Sequence, residues 1–123
     1  MPMRCLIVDD NQSFLDAARV LLEREGLAVA GVASTGDEAL RHVETLRPDV
    51  VLVDISLGKE SGLELARRLA EGRPVSEPAV VLISTRAEAD VADLIAASPS
   101  AGFLPKAELS ASAIRRIVDG RDS

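Results

Sequence analysis

Apolar residues along the chain fall into short continuous runs separated by longer stretches of mixed polarity. The runs are RCLIV at 4–8, AVAGVA at 28–33, VVLV at 50–53, AVVLI at 79–83 and AGFL at 101–104. Short runs of branched and small apolar residues are typical of β-strands. The pattern predicts five strands, and the unbroken apolar character of the first, third and fourth favours strands buried on both faces of a sheet.

The stretches between these runs carry apolar residues three or four positions apart, which predicts amphipathic helices. The first helix is marked by Phe14, Ala17, Ala18, Leu21 and Leu22. Three pairs fit the capping box that starts a helix: Thr35 with Glu38, Ser61 with Glu64, and Thr85 with Glu88. Gly26 and Gly72 lie where helices should end, and the segment 72–78 is predicted as a loop from its prolines.

Five strand–helix units in succession predict an α/β fold with parallel strands and right-handed crossovers. The expected architecture is a doubly wound five-stranded sheet of order 2-1-3-4-5, which is the flavodoxin-like arrangement. The second run contains Gly31 and is the weakest, which fits an edge strand. In such sheets ligands bind beyond the carboxyl ends of the strands, near strands 1 and 3.

Polar residues gather at those carboxyl ends. Strand 1 runs into Asp9 and Asp10, strand 3 into Asp54, strand 4 into Ser84 and Thr85, and strand 5 into Pro105 and Lys106. Neighbouring strands lie roughly 4.8 Å apart, so three carboxylates are expected in one cleft. Crowded carboxylates raise one another's pKa unless a cation neutralises them. A lysine and Mg²⁺, which prefers oxygen ligands, are the two candidates.

Composition narrows the function classes. The 123 residues suit a single domain, 1–123, and 47% apolar residues are enough for a core. The net charge of −6 opposes non-specific binding to nucleic acid. Cys5 is the one cysteine and is predicted to be a core residue, and neither a signal-peptide pattern nor a membrane-length apolar run is present. We therefore predict a cytoplasmic protein.

Other motifs do not support a different chemistry. The segment 31–38 has two glycines of a phosphate-binding loop but carries Asp37 where a lysine is required. His42 is the one histidine, lies within a predicted helix and is expected at the surface. Taken one at a time, Asp9 and Asp10 are typical of turns or helix caps, and it is their convergence with the other strand ends that indicates a site.

The chain resembles the receiver domain of bacterial two-component response regulators over essentially its whole length. The resemblance is carried by LIVDDNQ at 6–12, VVLVDISLGKESGLEL at 50–65, VVLIST at 80–85 and GFLPKAEL at 102–109. It departs from the family at three positions. Gly58 stands where proline is frequent, Thr85 where alanine is frequent, and Ala107 follows the lysine where many members have proline.

The resemblance implies a role for each matching residue. Asp54 would be the phosphoacceptor, and Asp10, Asp54 and the carbonyl of Ser56 would bind Mg²⁺ directly, with Asp9 acting through water. Ser84 and the backbone N–H groups of Ser56 and Thr85 would contact the phosphoryl group, and Lys106 would pair with it. Ser84 and Phe103 would form the switch. All of these residues lie within the four quoted segments.

The resemblance also implies partners. A histidine kinase or phosphotransfer protein would supply the phosphoryl group, and a downstream protein or a second copy would bind the surface of helix 4, strand 5 and helix 5. Enzymatic activity would be limited to Mg²⁺-dependent self-phosphorylation and self-dephosphorylation. We expect neither DNA binding by this chain alone nor membrane association.

Two alternatives stay open at this point. The first is a pseudo-receiver that binds partners without phosphorylation. The second is a phosphatase of the haloacid dehalogenase type, which also uses aspartate, lysine and Mg²⁺. That family needs a second aspartate two residues after the first, and DISLG at 54–58 lacks it.

Overall fold

A computed structural model of the protein describes residues 3–71 and 78–121. Five strands and five helices alternate along the chain. The strands are β1 (Arg4–Val8), β2 (Ala28–Ala33), β3 (Val50–Asp54), β4 (Ala79–Ser84) and β5 (Gly102–Pro105). The helices are α1 (Gln12–Arg24), α2 (Gly36–Leu46), α3 (Gly62–Ala70), α4 (Glu88–Ala96) and α5 (Ala111–Arg121). Among the described residues, no helix combines the length and apolar character needed to cross a bilayer.

The strands form one parallel sheet of order β2-β1-β3-β4-β5, which confirms the predicted fold class and topology. The predicted edge position of β2 is also confirmed. The register aligns Asp54 with Ile83 and Ser84 with Pro105 at the carboxyl ends. The last residues of β3, β4 and β5 therefore lie side by side along one edge of the sheet.

Two apolar clusters, one on each face of the sheet, make up the core. One joins α1 and α5 to the sheet, and the other joins α2, α3 and α4 to it. Every residue of β3 and of β4 is buried, as expected for central strands with helices on both faces. The single thiol, Cys5, is fully buried as predicted, and burial raises its pKa to about 12.

The helix starts follow the predicted caps in two cases out of three. Thr35 accepts a hydrogen bond from Glu38 N–H at 3.1 Å, and Ser61 accepts one from Glu64 N–H at 3.3 Å. The prediction for Thr85 is wrong, because α4 begins at Glu88 after Ala87 and no described side chain caps it. The chain turns directly after β4, where Arg86 N–H donates to Ser84 Oγ at 3.0 Å, and this turn delays the helix.

Two further predictions concern Gly26, after α1, and His42, within α2. Gly26, with φ at +91°, follows the end of α1 as predicted, and this left-handed backbone is one that glycine adopts without a steric penalty. His42 lies within α2 and is half-buried, so it is less exposed than predicted. The predicted helix end at Gly72 and most of the predicted loop at 72–78 lie outside the described residues.

A short hairpin between β3 and α3 was not predicted. Ser56–Leu57 pairs antiparallel with Glu60–Ser61, and Gly58 and Lys59 form the two-residue turn. Gly58 has φ at +58°, which favours glycine at the first position of such a turn. Proline, whose ring fixes φ near −65°, could not adopt this backbone. The hairpin thus gives a physical reason for glycine at a position where the resembling family often has proline.

Candidate functional site

The carboxyl edge of the sheet holds the three buried polar side chains found among the described residues. Asp9 is 0%, Ser84 5% and Asp54 7% exposed. They follow or end β1, β4 and β3, so the parallel register brings them together. Lys106 begins the 3-10 turn Lys106–Glu108 directly after β5, and its side chain is 13% exposed. Four of the residues predicted from the strand ends are therefore gathered in one place.

Lys106 is the cation of this group. Its Nζ lies 2.5 Å from Asp9 Oδ2 and 3.3 Å from Asp54 Oδ2, so one ammonium faces two carboxylates. The ring of Phe14, on the first turn of α1, lies over the same ammonium at 4.3 Å from the ring centre. An aromatic face attracts a cation through its quadrupole, so Phe14 helps to hold Lys106 in position.

Backbone N–H groups fix the two buried carboxylates. Asn11 N–H donates to Asp9 Oδ1 at 2.8 Å, and Ser56 N–H donates to Asp54 Oδ1 at 3.1 Å. The side chain of Asn11 in turn accepts from Phe14 N–H and caps α1. Each carboxylate thus has one oxygen held by the loop that follows its own strand and the other oxygen facing Lys106.

The pKa values of Asp54 and Lys106 are both raised in this site. Burial raises the pKa of the Asp54 carboxyl; the hydrogen bond from Ser56 opposes this rise and the charge of Asp9 adds to it. Lys106 also opposes it, yet the pKa of Asp54 stays above its ordinary value. Burial by itself lowers the pKa of the Lys106 ammonium, but the nearby carboxylates of Asp9 and Asp54 outweigh it, so that pKa is raised. A carboxylate with a raised pKa is more basic, and a lysine with a raised pKa stays protonated. This combination suits a nucleophile that must approach a negatively charged group.

The acidic residues also fit a divalent metal ion. Asp9, Asp10 and Asp54 each place a carboxylate oxygen within 4.8 Å of the others. Asp9 Oδ2 is buried, and its close polar contact among the described residues is the Lys106 ammonium at 2.5 Å. Asp10 is exposed, so it faces the side from which a hydrated ion would arrive. All-oxygen donors of this kind suit Mg²⁺, which keeps several of its waters.

The hairpin supplies the wall next to Asp10. A Cβ built on Gly58 would lie 3.2 Å from Asp10 Oδ2, so this glycine allows the loop to approach the carboxylate closely. Ser56 is exposed on the same hairpin. The family resemblance indicates Ser56, but the sequence pattern does not predict the hairpin that carries it. The Gly-Lys dipeptide between short polar strands was the one available signal.

The proposed switch residues lie on the other side of Asp54. Ser84 is buried, and among the described residues its Oγ accepts one hydrogen bond, from the backbone N–H of Arg86. Phe103 is 8% exposed and packs in the core cluster with Leu82 and Val91. A surface cavity of about 420 Å³ opens beside Phe103 and is lined also by Thr85, Arg86 and Glu88. Thr85 itself is exposed, next to the site.

Comparison with known proteins gives one consistent family. The family model for the response regulator receiver domain matches residues 5–118. Response regulator GacA of Pseudomonas aeruginosa is 31% identical over 123 residues, covering 97% of this chain and 56% of that protein. The chain spans from 23% to 56% of the length of the curated relatives it matches.

Solved structures agree with the sequence relatives. The signal receiver domain of the putative response regulator NarL from Mycobacterium tuberculosis has a TM-score of 0.82 and 25% identity, with 97% of this chain and 98% of that chain covered. A response regulator from Burkholderia pseudomallei has a TM-score of 0.77 and 27% identity, with 94% of this chain and 66% of that chain covered. Because the family model, the sequence relatives and the solved folds agree, the chain belongs to the receiver domains of two-component response regulators.

Proposed function

We propose that this receiver domain is switched by phosphorylation of Asp54, with Mg²⁺ as its cofactor. The single observation that carries the proposal is the convergence of Asp9, Asp10, Asp54 and Lys106 on one edge of the sheet. The phosphoryl donor would be the phosphohistidine of a histidine kinase or of a phosphotransfer protein. The Burkholderia pseudomallei relative supports the same chemistry, since it was solved with a phosphorylated aspartic acid and a calcium ion.

The transfer replaces one bond to phosphorus by another. A carboxylate oxygen of Asp54 forms the new O–P bond, the N–P bond of the phosphohistidine breaks, and its electron pair leaves on the imidazole. Asp10, Asp54 and the Ser56 carbonyl would hold Mg²⁺, with Asp9 acting through water, and the ion would supply positive charge that offsets the repulsion between the reacting anions. The Lys106 ammonium lies 3.3 Å from Asp54 Oδ2, so it could move to a phosphoryl oxygen once Asp54 carries the phosphoryl group.

Dephosphorylation takes place in the same site, with water as the attacking group. A water oxygen attacks the phosphorus, the O–P bond to Asp54 breaks, and its electron pair returns to the carboxylate, while inorganic phosphate leaves with the protons of the water. The backbone N–H groups of Ser56 and Thr85 are proposed to hold the remaining phosphoryl oxygens during both steps. Activity in the enzymatic sense is then confined to self-phosphorylation and self-dephosphorylation.

The switch is proposed to run from Asp54 to the surface through two side chains. A phosphoryl group offers new acceptors, and Ser84 is buried at the end of β4, next to β3, where the Arg86 N–H is the hydrogen-bond partner that the described residues give its Oγ. Movement of Ser84 toward the phosphoryl group would free space for Phe103, which borders the 420 Å³ cavity. The surface of α4, β5 and α5 would then change, and a downstream protein or a second copy would bind it.

The partners we propose are proteins and not DNA. The net charge of −6 makes contact with a phosphate backbone unfavourable for this chain by itself. Cytoplasmic localisation, where a kinase could deliver the phosphoryl group, belongs to the same proposal. The haloacid dehalogenase alternative is disfavoured because Ser56 occupies the position of that family's second aspartate.

Intact mass measurement after incubation with acetyl phosphate and Mg²⁺ tests the proposal. One added phosphoryl group is expected on the wild-type chain and none on Asp54→Asn. Asp93→Asn, which makes the same change at an exposed position on α4, is the matched control and should label normally. An unlabelled wild-type chain would instead favour the pseudo-receiver alternative, and equal labelling of Asp54→Asn would remove Asp54 from its role.

A further inference from the structure

The hairpin between β3 and α3 touches the acidic site at two points. Ser56 N–H donates to Asp54 Oδ1 at 3.1 Å, and the backbone of Gly58 lies against the carboxylate of Asp10, as the 3.2 Å Cβ distance shows. Asp54 and Asp10 are the two carboxylates proposed as direct metal ligands. The position of the hairpin therefore limits where both carboxylates can lie.

The hairpin is held from outside the site by Glu60. Its carboxylate accepts a hydrogen bond from Gly36 N–H, at 3.1 Å to Oε1 and 3.3 Å to Oε2. Glu60 pairs with Leu57 across the hairpin, and Gly36 is the first residue of α2, 24 positions away along the chain. The first N–H groups of a helix have no partner within the helix and carry partial positive charge, so a carboxylate is stabilised there.

Gly36 is the residue type that this contact requires. A Cβ at position 36 would lie 2.8 Å from Glu60 Oε1, while the next nearest atoms are 3.9 Å away. Alanine would keep the N–H donor and every charge, yet its methyl group would displace the carboxylate. Position 36 thus permits the contact to be broken without removing Glu60.

We propose that Glu60 is a positioning residue that sets the Mg²⁺ affinity of the site through this contact. By fixing the hairpin to α2, it holds Ser56 and Gly58 against Asp54 and Asp10 before any metal arrives. Residues behind metal ligands commonly tune affinity by orienting the ligands. The inference rests on the proposed function, because it takes Asp10 and Asp54 as metal ligands.

The test measures Mg²⁺ binding to the unphosphorylated full chain by calorimetry, with amide exchange at Ser56 followed by NMR. Glu60→Ala removes the contact and a charge, whereas Gly36→Ala removes the contact and keeps the charge. Glu64→Ala removes the same charge from an exposed position three residues beyond the hairpin, on α3, and leaves the contact intact. The thermal midpoint of each variant is recorded to separate affinity from stability.

We expect Glu60→Ala and Gly36→Ala each to weaken Mg²⁺ binding by about two- to fivefold, the range of a helix-terminus interaction. The double variant should be no weaker than either one, because both remove one contact. Gly36→Ala should lose affinity without losing thermal stability, since alanine favours the helix, and Ser56 N–H should exchange faster. Glu64→Ala should bind as the wild type does.

Three results would contradict these proposals, and they differ in what they exclude. If the wild-type chain binds Mg²⁺ and both contact variants bind it equally well, the role of Glu60 is wrong and the metal site stands. If the wild-type chain shows no Mg²⁺ binding, the proposed function itself fails. Additive losses in the double variant would show that the two substitutions act through different contacts and would also overturn the inference.

Discussion

The two sides of Asp54 are built differently. On one side, which we name the hairpin side, lie α2, the hairpin and α3; side chains cap both helices, and α3 buries Gly62, Leu65, Ala66 and Leu69. On the other, the switch side, lie the 85–87 loop, α4 and β5. Within α4, all of which is described, Val91 is the one buried residue, and no described side chain caps the helix.

This difference separates two tasks. A metal site gains affinity when its ligands are held before the ion binds. A switch needs a segment whose opening costs little free energy, and such segments have few buried apolar contacts. The hairpin side therefore suits metal binding, and the switch side suits a change of conformation on phosphorylation.

The largest effect is expected where Lys106 joins the two sides. Lys106→Ala should label with acetyl phosphate roughly 10²-fold more slowly, as expected when one charge-stabilising group is lost, because Asp54 and the metal remain. Once labelled, it should not change the amide spectrum of α4 and β5, since the link from phosphoryl group to β5 is gone. Labelling rates by intact mass and amide shifts by NMR measure the two effects. Wild-type-like shifts in labelled Lys106→Ala would contradict the link.

A second prediction concerns the carboxylates on the hairpin side. Asp10→Asn should weaken Mg²⁺ binding by about tenfold or more, the lower end for disturbed metal sites, and by more than Asp9→Asn does. The reason is that Asp10 is exposed to solvent next to the hairpin, whereas Asp9 is buried and paired with Lys106. Calorimetry with Mg²⁺ gives both affinities. An Asp10→Asn chain with unchanged affinity would exclude Asp10 as a ligand.

The comparison of the two sides is itself testable without phosphorylation. Amide hydrogen exchange should show opening free energies for α4 that are about 1–2 kcal/mol below those of α3, because α4 buries fewer side chains. Both helices contain nine residues, which makes the pair well matched. Equal protection of the two helices would remove the structural distinction between the sides.

The smallest effect is a pH-dependent change in stability at Asp54. The pKa of Asp54 is raised in the folded protein, so its ionised form weakens folding above the ordinary carboxyl range and this penalty disappears as the pH falls. In metal-free buffer, Asp54→Asn should therefore unfold at a higher temperature than the wild type at pH 7. The difference should shrink as the pH falls through the raised pKa toward 3.8, the ordinary pKa of an aspartate carboxyl. A lower midpoint for Asp54→Asn at pH 7 would contradict the burial argument.

The features predicted best from the sequence are those set by local apolar patterns and by the order of elements along the chain. Strand positions, the parallel order and the edge placement of β2 follow from apolar runs and from chain connectivity, and the structure confirms them. The gathering of Asp9, Asp54, Ser84 and Lys106 follows as well, because parallel strands end at a common edge. The functional roles of these residues rest on the family resemblance and stay proposals.

What the sequence did not predict depends on contacts between distant positions. Phe14 and Lys106 are far apart in the chain, and no periodicity signals that the ring lies over the ammonium. The two-residue strands of the hairpin are too short to show a pattern, and its bond to Gly36 is visible only in three dimensions. The cap predicted at Thr85 failed because a local motif was matched where the preceding strand already dictated a turn.

The buried thiol of Cys5 gives the domain a chemical reporter of its own unfolding. Alkylating reagents react with thiolates, and a thiol with a pKa of about 12 and no exposed surface offers almost none at neutral pH. Because β1 is paired with both β2 and β3, Cys5 should become reactive only when the sheet itself opens. The rate of maleimide labelling therefore counts openings of the whole core, and no cysteine has to be introduced to measure them.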